Sequence, residues 1–182
     1  MAKLISKTYG EALFELAVEE DRVDLLAEEI QALRQILAEN EDLDRLMKHP
    51  KVTKEEKLQV IQTVFEGRID KELLGFLSLI VTKDRYREID GILSYFLDQV
   101  KEVKGIGVAY VTAAEELQEE QKQKIVEKLL ATTKYKQMEM HYAKDASLIG
   151  GMVIRIGDRV VDGSVKTKLT ELQKQLMKIQ LA

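Results

Sequence analysis

Apolar residues recur along the first hundred positions at helical spacing. Ile5, Tyr9, Ala12, Leu13, Leu16 and Ala17 share one face of a 3.6-residue period. Val23, Leu26, Ile30, Leu33 and Leu37 repeat at spacings of three and four. A short segment with Leu43, Leu46 and Met47 runs into Pro50, which cannot continue a helix. Thr53 and Glu56 have the spacing of a capping box, opening a helix through Leu58, Ile61, Val64 and Phe65 that Gly67 can stop. Asp70 is placed to cap a fifth helix containing LLGFLSLIV, and Ile89, Ile92, Leu93, Phe96, Val100 and Val103 mark a sixth. Short connections between six such helices predict a compact antiparallel bundle over residues 1–104.

The period changes at Gly105 and Gly107. IGVAYVTA alternates and is rich in β-formers, so it reads as a strand. Leu117 to Thr132 is a charged amphipathic helix, and KQMEMHYA puts Met138, Met140 and Tyr142 on one face at period two. MVIRI and RVV flank Gly157-Asp158, a two-residue hairpin turn of the type that places glycine first. Ser164 can cap a last helix carrying Val165, Leu169, Leu172, Leu176 and Ile179. The expected fold class is therefore α+β and multidomain: a six-helix antiparallel bundle, then a small α/β domain over residues 105–182.

The fifth helix differs from the others. Leu73, Leu74, Phe76, Leu77, Leu79, Ile80 and Val81 leave it apolar nearly all round. Two arrangements satisfy such a helix: a central core position, or a groove that accepts a helix from a partner.

Composition narrows the function classes. The chain is 45% apolar and 33% charged, as expected of a globular protein rich in amphipathic helix. A net charge of −4 argues against a general nucleic-acid binder. With no cysteine, disulfides and thiolate metal sites are excluded, which fits a reducing compartment. No apolar run approaches the roughly 20 residues a membrane helix needs. Glu11 and Glu15 interrupt the stretch where a signal peptide has its apolar core.

Candidate chemistry is sparse. LIGGMVIRIGDRVVDGSVKTKL (148–169) holds several glycines before a helix, but neither the G-x-x-x-x-G-K-[ST] nor the G-x-G-x-x-G order. A hairpin and helix cap explain those glycines, with a phosphate- or nucleotide-binding loop as the alternative. His49 and His141 have no second histidine at ligand spacing. Glu115, Glu116, Glu119 and Glu120 lie among lysines on a predicted helix surface. Lys166, Lys168, Lys174 and Lys178 make the last helix cationic, either for solubility or for an acidic partner.

The same glycine stretch carries a resemblance. LIGG, then GMVIRIGD, then VVDGSV and a terminal helix resemble the signature of the δ subunit of F-type ATP synthase, the oligomycin sensitivity-conferring protein family. SKTYGEALFELA is similar to that family's opening helix, with Gly10 where alanine is commoner and Lys7-Thr8 where arginine is common. The match spans essentially the whole chain. It implies a non-catalytic peripheral-stalk subunit with no cofactor and no metal, present in one copy at the cytoplasmic face of a bacterial plasma membrane. The implied partners are the N-terminal helix of an α subunit and the end of the b-subunit stalk, without nucleic acid or membrane insertion. The family's α contact lies between the first and fifth helices, here Tyr9, Ala12, Leu13 and Leu16 with Leu73, Leu77, Ile80 and Val81. Gly150, Gly151, Gly157, Asp158, Asp162, Gly163 and Ser164 are the structural signature.

Overall fold

A computed structural model describes residues 2–180, the side chains of Ala2, Lys178, Ile179 and Gln180 lying outside the described residues. The chain divides into two compact units, one ending at Lys101 and the other starting at Glu102. Its class is α+β: eight α-helices and one four-stranded sheet among the described residues.

The first unit is helical: α1 (Ala2–Glu19), α2 (Val23–Glu39), α3 (Glu41–Lys48), α4 (Lys54–Phe65), α5 (Lys71–Thr82) and all but the end of α6 (Ile89–Lys104), whose residues from Glu102 on belong to the second unit. The periodic residues meet in a single core built on Leu13, Ile30, Leu33, Leu73, Ile80, Ile92 and Phe96. Phe14 meets Phe96 edge to face, with ring centroids 6.1 Å apart. The helix starts are fixed locally. Thr53 Oγ1 accepts from the Glu56 amide at 3.3 Å, and Glu56 accepts from the Thr53 amide at 2.9 Å, completing the capping box of α4. Asp70 accepts from the Glu72 amide at the head of α5, while Arg22 reaches both Asp70 and Glu72. Gly67 ends the α4 region with a φ of +74°.

Close approach decides how α1 meets α6. A Cβ on Gly10 would lie 2.6 Å from Tyr95 Cδ1 and 3.2 Å from the Ile92 carbonyl oxygen. A Cβ on Gly91 would lie 2.6 Å from Ser6 Oγ. Gly10 therefore answers to packing, and its low helix propensity is offset by a helix crossing that alanine would crowd.

The second unit is built on β1 (Ile106–Ala113), α7 (Glu119–Thr132), β2 (Gln137–Lys144), β3 (Met152–Ile156), β4 (Arg159–Asp162) and α8 (Val165–Gln180). The sheet order is β2-β1-β3-β4. β1 runs parallel to β2 and antiparallel to β3, and β3 pairs antiparallel with β4. Helix α7 makes the crossover that a parallel pair requires. Ala109, Val111 and Ala113 alternate onto the buried face of β1, and Tyr110 onto the exposed one. Leu117 lies before α7, whose N-cap is Gln118. Gly157 has a φ of +55° while Asp158 stays out of the left-handed region, the combination of a type II′ hairpin turn.

Candidate functional site

α5 resolves into two faces. Leu73, Phe76, Leu77, Ile80 and Val81 are at most 8% exposed and belong to the unit's own core. Gly75, Leu79 and Thr82 face outward, with Leu74 and Ser78 half-buried beside them. Leu79 is 43% exposed, and a Cβ on Gly75 would meet nothing within 4 Å. On α1, Leu13 is in the core, Tyr9 and Leu16 are half-buried, and Ala12 is exposed. Of the positions expected to line the groove, Leu13, Leu73, Leu77, Ile80 and Val81 are buried in the unit's own core, while Tyr9, Ala12 and Leu16 keep accessible surface. Periodicity could not separate the two faces of α5, because Leu74 and Leu79 are as apolar as the buried positions. The better signal was Gly75, a helix-interior glycine that nothing inside the chain requires.

The glycine signature forms a backbone junction. Gly151 has a φ of +74°, and a Cβ there would lie 2.4 Å from the Gly163 carbonyl oxygen. The Val165 amide donates to the Gly150 carbonyl and the Gly163 amide to the Met152 carbonyl, both at 2.9 Å. Ser164, 1% exposed, caps α8 by accepting from the Thr167 amide at 3.2 Å. Asp162 accepts from the Ser164 amide at 2.8 Å and from Thr167 Oγ1 at 2.7 Å. The Thr167 hydroxyl first, then the Ser164 amide, hold the Asp162 carboxyl below the usual aspartate range. The amides of Ser164, Val165 and Thr167 are thus already bonded within the chain, and an ionised carboxylate lies among them. A phosphate would meet occupied donors and a like charge, so the glycines serve the turn and the cap.

Beside this junction lie apolar positions left exposed among the described residues. Leu169, Leu172 and Leu176 follow one stripe of α8 and are 52%, 54% and 63% exposed. Ile149 is exposed too, and its φ of +67° is strained for a β-branched residue. On the sheet, Tyr110 stacks on His141 with centroids 4.8 Å apart, and the Arg155 guanidinium lies 4.7 Å from the Tyr110 centroid. Cross-strand register makes this row, pairing Tyr110 with His141 and with Arg155, and sequence spacing alone does not disclose it. No group of three or more histidine, aspartate or glutamate side chains converges as a metal site among the described residues. No helix among them is long and apolar enough to cross a membrane.

Comparison with known proteins adds to this geometry. The family described as "ATP synthase delta (OSCP) subunit" matches residues 5–176. An "ATP synthase subunit delta" of Lachnoclostridium phytofermentans is 56% identical, the match covering 100% of both chains. That of Desulforamulus reducens is 35% identical over 95% of each. A chain in the cryo-EM structure of the Toxoplasma gondii mitochondrial ATP synthase hexamer shares the fold, with a TM-score of 0.76 at 22% identity over 94% of this chain and 97% of that one.

Proposed function

The chain belongs to the ATP synthase delta (OSCP) subunit family, and on that premise we propose that it is a non-catalytic stator link. It joins the catalytic head to the peripheral stalk at the cytoplasmic face of a bacterial membrane and keeps the head from turning with the rotor. We read the six helices of the first unit as an antiparallel bundle that receives the N-terminal helix of an α subunit on the outer faces of α1 and α5. The observation that carries this reading is the outward surface of α5. Leu79 offers an apolar contact and Gly75 leaves room for a second backbone at close range. Ala12, with the outer parts of Tyr9 and Leu16, supplies the α1 side. The second unit receives the end of the b-subunit stalk, which the uncovered stripe of α8 supports. Buried apolar contacts of this kind dissociate slowly, as a joint under torque requires.

A synthetic peptide with the sequence of the α subunit's N-terminal helix tests the first contact by calorimetry on the full chain. Wild-type protein binds it, and Ala12→Asp and Leu79→Asp each weaken it at least about tenfold with the unfolding midpoint unchanged. If both folded variants bind like wild type, the contact lies elsewhere.

A further inference from the structure

A cleft of about 540 Å³ opens on the helical unit between the α3–α4 turn and the turn that follows α5. It is lined by five cationic side chains, Lys48, Lys54, Lys57, Arg85 and Arg87, against two carboxylates, Asp84 and Glu88. That excess stands out in a chain whose net charge is −4. Two of the five are engaged: Lys48 Nζ lies 2.6 Å from Asp44, and Lys54 Nζ donates to the Thr82 carbonyl at 2.9 Å. The side chains of Lys57, Arg85 and Arg87 have no ion-pair or hydrogen-bond partner among the described residues.

Both walls are held in place. On one, the Arg85 amide donates to the Ile80 carbonyl at 2.9 Å, with Asp84 at a φ of +57°, a closed helix-end turn. Tyr86, between the two free arginines, is buried and anchors that wall in the core. On the other, Pro50 and the Thr53–Glu56 capping box fix the chain. Met47, Val52 and the Tyr86 ring add an apolar part to the lining.

We infer that this cleft docks a carboxylate-rich segment from another chain of the ATP synthase. Charge complementarity carries the assignment. A compact phosphate fits less well, because the head of α4 presents Glu55 and Glu56 and the Thr53 and Glu56 amides are already bonded. Ammonium and guanidinium groups spread around a preformed cleft suit carboxylates spread along a peptide. The identity of the partner complex rests on the stator reading; the chemistry of the cleft does not.

Two measurements test it on the full chain. In the first, a labelled hexaglutamate peptide is titrated by fluorescence anisotropy. Wild type binds it in a salt-sensitive manner, and Arg85→Glu/Arg87→Glu and Lys57→Glu each weaken binding by about tenfold. A double variant with the same charge change on α7, Lys124→Glu/Lys128→Glu, stays within about twofold. Absence of binding, equal loss in the α7 variant, or tighter binding of inorganic tripolyphosphate than of hexaglutamate overturns the inference. In the second, the chain is returned to ATP synthase stripped of this subunit. Arg85→Glu/Arg87→Glu rejoins more weakly than wild type; equal rejoining overturns the cleft. Wild type that does not rejoin sinks the stator reading, while the peptide titration still decides the cleft.

Discussion

Gly151 and Gly10 show how one absent carbon can be needed for two different reasons. At Gly151 the backbone is left-handed and the space is already taken by the Gly163 carbonyl. Gly151→Ala is expected to destabilise the second unit by about 3 kcal/mol or more, read by urea unfolding. At Gly10 the backbone is ordinary helix, so propensity alone favours alanine by up to about 1 kcal/mol. The contact with Tyr95 and the Ile92 carbonyl reverses that sign: Gly10→Ala costs about 1–2 kcal/mol, and a rise in melting temperature would refute the packing argument. Asp162 links residue chemistry to pH. Its carboxyl is held below the usual aspartate range, so the stability it lends is complete above that range and is lost as pH falls through the depressed value. Asp162→Asn removes this acid-side slope, and unfolding midpoints from pH 6 down to 3 measure it.

At the scale of elements, what could be read from the chain depended on how local the cause was. The Thr53 box, the Ser164 cap and the Gly157-Asp158 turn are each settled within a few residues, and they stand where spacing placed them. The outward face of α5 and the α1–α6 crossing are settled by residues far apart in sequence, so periodicity could identify the helices but not their facing. The Tyr110 row had the same cause, since register joins strands whose order no spacing announces. The two faces of α5 predict a separation of effects. Leu77→Ala opens a cavity and costs about 3 kcal/mol of folding stability. Leu79→Ala leaves stability within about 0.5 kcal/mol and weakens only the peptide contact. Equal thermal losses for the two variants would contradict the assignment of faces.

For the whole molecule, two units with separate cores imply two unfolding steps. The helical unit joins residues from Leu13 to Val100 in one cluster, whereas the second unit buries few large side chains, Val111, Leu129 and Leu148 among them. Scanning calorimetry is expected to show the second unit melting first, and on the proposed stalk contact a b-subunit fragment is expected to raise that lower transition by mass action. One cooperative transition for the free chain would contradict it. The sheet order also bears on biosynthesis. β1 is made first yet lies between β2 and β3, so IGVAYVTA leaves the ribosome with both edges open until its neighbours follow. A nascent chain halted before β3 is therefore expected to leave one edge of β1 unpaired after the helical unit has been made, and sedimentation of such truncated products measures whether they self-associate.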